Sequence, residues 1–265
     1  MRKFALEVFA IMIKELRLAI RFRIGYFFSN LVNPVVGMIP VFLIYYGFLH
    51  YSGAQSFAGI NLDNYINFLI FGILAYAFFS VGSRTFSIRF SEEKYWKTIE
   101  AIFVAPINYI SIIIGTGLSE LLRLIPTMFL FLGMASIFIA PTPITFILVI
   151  ITLLLMFLLC LSIGLIYGSV SLSNENYDPL FGYFFAGWSM ISCFIYPIGI
   201  IPKEFELIIL VNPLYHAVNF MREAWINQLI LWDSLLYVIG FAIIMPIIAV
   251  IVFKFAWKRL GVHGY

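Results

Sequence analysis

Residues Leu124 to Asn174 read LIPTMFLFLGMASIFIAPTPITFILVIITLLLMFLLCLSIGLIYGSVSLSN, a run of 51 without one charged side chain. A helix rises 1.5 Å per residue, so about 20 apolar residues cross the roughly 30 Å hydrocarbon core of a bilayer. The run is too long for one crossing. Pro141-Thr142-Pro143 divides it, because proline ends one helix and is tolerated in the first turn of the next. Two spanning helices joined by a tight turn follow.

The remaining uncharged runs are Ile24 to Leu62, Asn64 to Ser83, Ala101 to Ser119, Pro179 to Pro202, Leu207 to Met221 and Ser234 to Phe253. Leu207 to Met221 holds 15 residues interrupted by Pro213 and is too short to cross. Six crossings are expected: Leu31 to His50, Asn64 to Ser83, Ser119 to Ala140, Ile144 to Leu172, Pro179 to Ile200 and Ser234 to Phe253. Composition agrees, with 63% of 265 residues hydrophobic, 11% charged and a mean hydropathy of +1.04. So few charges cannot cover a soluble domain of this size. The fold class is an all-α membrane protein, one transmembrane domain over 1–265.

An even number of crossings places both termini on one side. That side then carries 13 of the 16 Lys and Arg residues: six before the first crossing, four between the second and third, three after the last. Only Lys203 and Arg222 lie opposite, with Arg123 inside a helix. The positive-inside rule puts both termini in the cytoplasm of a cell membrane. A net charge of +3, scattered along an apolar chain, gives no basic face for nucleic acid. Cys160 and Cys193 sit in apolar stretches and read as small buried hydrophobes, and His50, His216 and His263 are too isolated to bind a metal. Lys14, Arg17 and Arg21 interrupt the apolar run that a cleaved signal peptide requires, so the N-terminal segment is expected to be retained.

Three polar segments complete the plan. Residues 4–22 place Glu7, Lys14, Arg17 and Arg21 on one side of a helix, an amphipathic element expected along the inner membrane surface. Ser91 followed by Glu92 and Glu93 reads as the N-cap of a short inner helix over 91–104, stopped by Pro106, or, equally on composition, the segment is a solvated connector. Residues 201–232, with Pro202 and Pro213, read as outer re-entrant helices before the last span, with a plain extracellular hairpin as the alternative.

No glycine precedes a lysine, which excludes a P-loop, and neither HExxH nor GxSxG occurs. The chain is expected not to be an enzyme and not to hydrolyse ATP itself. Glu120 and Arg123 are spaced to pair on one helix face. Counting back from Ala140 places them near the inner interface, where a structural bond to the N-terminal helix is expected and a proton relay is not. Gly164 and Gly168 form a GxxxG read as helix packing. On the fifth crossing, Tyr177, Phe181, Phe184, Phe185 and Trp188 make an aromatic face suited to a substrate pathway or, equally, to packing.

The stretch Glu93-Lys94-Tyr95-Trp96-Lys97-Thr98-Ile99-Glu100, running on to Val104-Ala105-Pro106, resembles a segment of ATP-binding-cassette exporter permeases of the second type. There an acidic residue, Gly-Thr, an aliphatic residue and Glu precede an apolar run and Pro. Asn212-Pro213-Leu214-Tyr215-His216-Ala217 followed by Phe220-Met221-Arg222 resembles that family's second landmark. The departure is Lys97, where the family tends to have Gly, after the bulky Trp96. The resemblance implies a permease that pairs with a second copy of itself or a related permease and binds two cytoplasmic ATPase subunits. ATP and Mg would sit on those subunits, with no cofactor on this chain. Helix 91–104 would be the coupling helix, with Glu92, Glu93, Lys97, Thr98, Ile99 and Glu100 at the ATPase. The substrate class implied is amphipathic: a lipid-linked saccharide, a lipid or a hydrophobic drug. A secondary transporter or a membrane enzyme working without ATP is the alternative.

Overall fold

The computed structural model describes residues 2–52, 56–57, 60–98, 101–102, 107–173 and 175–263. Helix α1 covers Arg2–Arg21; α2 (Arg23–Phe27) runs through a π-helical stretch at Phe28–Val32 into α3 (Asn33–Ser52). A small antiparallel pairing of Ser56 with Asn61 and Phe57 with Ile60, unexpected from the sequence, leads into α4 (Leu62–Tyr95). Then come α5 (Tyr109–Phe138), α6 (Pro143–Ser173), α7 (Asp178–Ile191), α8 (Lys203–Leu210), α9 (Pro213–Ile226) and α10 (Trp232–His263).

Local chemistry sets the boundaries. Asn108 caps α5 by accepting from the Ile110 N–H at 3.0 Å, and the Thr142 hydroxyl accepts from the Thr145 N–H at 3.2 Å just before Pro143 opens α6. The division at 141–143 is thus where the sequence placed it. Among the described residues five helical stretches are long and apolar enough to cross a membrane: Arg23–Ile44, Asn64–Tyr95, Tyr109–Phe138, Pro143–Leu172 and Trp232–Lys258.

The predicted fifth crossing, Pro179 to Ile200, is not a continuous helix. Helix α7 ends at Ile191 after 14 residues, about 21 Å of rise, and Cys193 turns the chain with a φ of 53°. The next helical turn is only Ile198–Ile200. The predicted helix over 91–104 also needs correction, because Ser91 is not an N-cap. Helix α4 runs through it to Tyr95, and the Arg89–Glu92 pair at 2.8 Å strengthens that last part of the helix. Ala101 and Ile102 are helical, while Ile99, Glu100 and 103–106 lie outside the described residues.

Helix α4 is the centre of the bundle, with Leu69, Ile70, Phe71, Leu74 and Phe78 fully buried. It packs chiefly on α6 along a seam of small residues. A Cβ on Gly164 would stand 2.3 Å from the Gly82 carbonyl oxygen, and one on Gly168 would stand 2.8 Å from the Phe86 Cβ. The GxxxG pattern therefore works inside the chain, letting two backbones meet where larger side chains would hold them apart. Helix α1 lies against α5, where Gly115 leaves room for Ile11.

Candidate functional site

At the end of the bundle carrying α1, charged side chains from three helices converge. Arg89 on α4 lies 3.1 Å from Glu15 on α1, 3.0 Å from Glu120 on α5 and 2.8 Å from Glu92. Arg123 reaches Glu120 at 2.7 Å. The Glu15 and Glu120 side chains are only 6% exposed. Burial pushes the Glu15 carboxyl above its ordinary range, against the pull of Arg89 and Lys14. Glu7 on α1 accepts from the Asn108 N–H and from the Ser111 hydroxyl, at 3.3 and 2.8 Å. The polar side of α1 is thus turned partly into the protein and not wholly to water.

Glu120 and Arg123 form the expected i,i+3 pair, and the connection to the N-terminal helix runs through Arg89. The sequence did not single out Arg89 or Glu15. Its one signal was a buried-side glutamate one position after Lys14, set among the apolar residues of α1.

Just beyond this cluster α4 ends in a tight turn. The Lys97 N–H bonds to the Lys94 carbonyl and the Thr98 N–H to the Glu93 carbonyl, both at 3.0 Å, while Lys97 itself has a φ of 54°. This pattern is a Schellman ending, and Lys97 occupies the position that glycine usually takes because a Cβ is disfavoured there. The Glu93 carboxylate receives both the Lys14 ammonium and the Thr98 hydroxyl, which ties the turn to α1. Lys97→Gly is expected to stabilise the turn by about 1 kcal/mol. Slower hydrogen exchange at the Thr98 amide, with Lys97→Val shifting it the other way, checks this.

Between α1, α2, α4 and α5 lies a cavity of about 1170 Å³. Arg84, Arg21 and Arg123 line it with Tyr26, Trp96 and Phe22. The Tyr26 hydroxyl donates to the Arg123 carbonyl at 2.8 Å, and the Thr127 hydroxyl donates to the Asn30 carbonyl at 2.8 Å, fixing the α2–α5 wall. Among the described residues no three His, Cys, Asp or Glu side chains gather to hold a metal.

The aromatic face of the fifth segment is divided. Phe181 and Phe185 pack on Tyr167 of α6 with ring centres 4.5 and 5.5 Å away, and Phe185 is buried. Phe184 and Tyr177 remain about half exposed, and Trp188 donates its indole N–H to Asn212 at 2.8 Å. The five residues do not line one common surface.

Trp188 leads to the other polar centre, where α7 breaks. Asn212 caps α9 by accepting from the Leu214 N–H at 3.0 Å, and its amide donates to the Ile191 carbonyl at 3.2 Å and the Ser192 hydroxyl at 2.8 Å. Ten residues on, the Arg222 guanidinium donates to the carbonyls of Phe68, Cys193 and Phe194 at 3.2, 2.9 and 2.6 Å. It also lies 3.4 Å from the centre of the Phe68 ring. An interrupted helix in an apolar setting leaves carbonyls that must find donors. Asn212 and Arg222 supply them. The sequence marked both residues as part of a motif but gave no sign that they hold a broken helix together.

The model of the ABC-2 type transporter family matches residues 7–226, from within α1 to the end of α9. No curated protein matches the chain.

Proposed function

The chain belongs to the ABC-2 type transporter family as a multi-pass membrane protein, and from that premise we propose that it is the permease subunit of an ATP-driven exporter. Two permeases, either two copies of this chain or this chain with a relative, work with two cytoplasmic ATPase subunits that bind ATP and Mg. The pair moves an amphipathic substrate, such as a lipid-linked saccharide, a lipid or a hydrophobic drug, across the cell membrane. Both termini face the cytoplasm, on the basic side of the chain. Helix α7 and residues 192–200 together make the fifth of six crossings, and α8 and α9 form the re-entrant pair on the outer side.

The observation that carries this reading is the anchored turn at 96–98. An exporter powered from outside the membrane needs a protruding element fixed firmly to its spans. The turn continues α4 directly and is bound to α1 through Glu93, while Arg89 joins α4 to α1 and α5 below it. Force applied to residues 92–98 passes into three helices at once. Glu92, Glu93, Lys97, Thr98, Ile99 and Glu100 are the proposed contact with the ATPase.

Expressed with its cognate ABC ATPase subunit, the chain is expected to co-purify with that subunit in equal amounts. Ile99→Asp and Glu100→Lys are expected to lower substrate-stimulated ATP hydrolysis at least tenfold, or to release the ATPase, with unchanged membrane insertion. Full coupling in both variants places the contact elsewhere. Transport by the purified chain without any ATPase selects a secondary carrier instead.

A further inference from the structure

Helices α5 and α6 follow one another through the turn at 139–142, yet they pack on different partners, α5 on α1 and α4, α6 on α4 and α10. Away from the turn they part, and a slot of about 340 Å³ opens between them. Its floor is buried at Phe86, Phe157 and Leu165, while Ile114, Leu118, Leu154 and Leu158 on its rim are each about 40% exposed. The rim runs on along the same face of α6 into exposed Ile151 and Ile147, the surface that a spanning helix turns to lipid. The slot therefore opens sideways to the bilayer and not to water.

The lining decides what can enter. Among the described residues of the slot Ser162 alone has a polar side chain, and its hydroxyl already donates to the Leu158 carbonyl at 2.7 Å. Nothing remains to bond water or a polar ligand, and an apolar cavity stays dry. The occupant is hydrocarbon. An apolar cavity of roughly 150 Å³ accepts benzene, so 340 Å³ takes about twelve to fourteen carbons. Leu154 to Leu165 rise about 16 Å along α6, which allots each carbon about 1.2 Å of length. A single zigzag of roughly 1.5 Å carbon–carbon bonds has that spacing, and two chains side by side do not.

Depth identifies the source of the chain. Counted from Pro143, the slot begins about 17 Å into the membrane at Leu154 and ends about 33 Å in at Leu165. It thus runs from the middle of a roughly 30 Å hydrocarbon core to the face on the side of α1, the depth of one leaflet. We propose that the slot holds one acyl chain of a bilayer phospholipid, drawn from the leaflet on the side of α1, as a fixed filler between α5 and α6. The chain supplies the contacts that two helices facing an empty gap would lack. The slot does not involve the Arg89 cluster or an ATPase, so the proposal stands apart from the permease reading.

The test uses the full-length chain in phosphatidylcholine liposomes doped with phosphatidylcholine that carries a diazirine in the middle of one acyl chain. Lipid that merely surrounds the protein reaches open positions such as Ile39 and Leu43 of α3, but not the buried floor of the slot. After illumination, Phe157 and Leu165 are expected to carry at least half as much label as Ile39 and Leu43. Leu118→Trp and Leu158→Trp fill the slot from opposite walls, each from a rim position with room for a larger ring, and each should cut the floor label at least fivefold while leaving the α3 label unchanged. Native mass spectrometry after delipidating washes in detergent gives a second reading, with one phospholipid retained on each parent chain and lost from both variants. Floor labelling below half of the α3 level, or label and retained lipid undiminished in both variants, overturns the proposal. If a tryptophan variant does not fold, the phenylalanine replacement at the same position takes its place, and floor against α3 labelling in the parent still decides.

Discussion

Arg222→Leu is expected to be among the most damaging single substitutions in the chain, costing roughly 3–5 kcal/mol. The guanidinium is buried and serves three carbonyls belonging to two separate pieces of chain, Phe68 in α4 and Cys193 and Phe194 in the break after α7. Leucine fills part of the space but donates nothing, and water cannot easily replace the donors where the Phe68 ring lies against the guanidinium. Lysine keeps the charge, yet one ammonium cannot reach all three oxygens in the fork geometry, so Arg222→Lys should recover only part of the loss. Gly72 gives an independent check on the same contact. A Cβ there would fall 1.7 Å from the Phe194 carbonyl oxygen and 2.5 Å from a terminal nitrogen of Arg222. Gly72→Ala must displace that backbone and should lower the melting temperature in detergent much as Arg222→Leu does. A melting temperature unchanged by both would show that the break after α7 is held by other contacts.

Arg89→Leu is the second. It removes the one side chain that, among the described residues of this cluster, joins α4 to both α1 and α5, leaving Glu15 and Glu120 buried with less compensation. Removing one partner from a buried ionic group costs about 3–5 kcal/mol, mostly through the charge left behind. Lys14 at 3.6 Å from Glu15 and Arg123 at 2.7 Å from Glu120 hold the cost below that of two isolated carboxylates. The loss should concentrate on α1. A cysteine at Ile11, shielded against Gly115 in the parent, should react with a thiol reagent at least tenfold faster in the Arg89→Leu background.

The pH dependence has a definite sign. The folded-state pKa of Glu15 already lies above the unfolded value, and removing Arg89 takes away its strongest downward pull. Between the two values the folded state holds the proton and the unfolded state does not, so stability falls as pH rises through that window. The Arg89→Leu variant should therefore be closer to the parent in melting temperature at pH 5 than at pH 8. Adding Glu15→Gln should remove most of this difference. A deficit that is the same at both pH values would mean that Glu15 is not the charge left behind.

The long apolar helices were legible in the sequence because the bilayer criterion depends on a simple count. Absence of charge over 51 residues and two prolines fixed α5 and α6 with almost no reference to the rest of the chain. The Glu120–Arg123 pair was legible for a similar reason, since i,i+3 spacing on a helix is a local property. What the sequence could not show were interactions that close over long separations. Arg89 and Glu15 are joined only once three helices have packed, and Arg222 reaches carbonyls in segments that no periodicity links to it. The end of α7 was missed because an apolar run scores as a span whether or not its helix continues. The stop is set by donors on α9. Likewise Ser91 looked like a cap because capping preference was weighed without the helix already arriving from Leu62. Lys97 is the opposite case: its departure from glycine was visible in the sequence, and its left-handed backbone gives that departure a physical meaning.

The attachment of α1 also has a consequence for how the protein is made. Glu15 and Lys14 leave the ribosome early, but their partners Arg89 and Glu93, and the Glu120 that Arg89 also holds, are synthesised far later. At about 5–20 residues per second, the last of them follows Glu15 by roughly 5 to 20 s. Through that interval α1 has an apolar face with no protein to cover it and a glutamate with no arginine to meet. Its amphipathic pattern lets it wait at the lipid surface, where the hydrocarbon receives one face and water the other. Docking of the first helix therefore cannot begin until α4 and the first turns of α5 have been made. An amino-terminal fusion or a slow stretch of translation before Glu120 should delay that step while leaving insertion of the spans themselves intact.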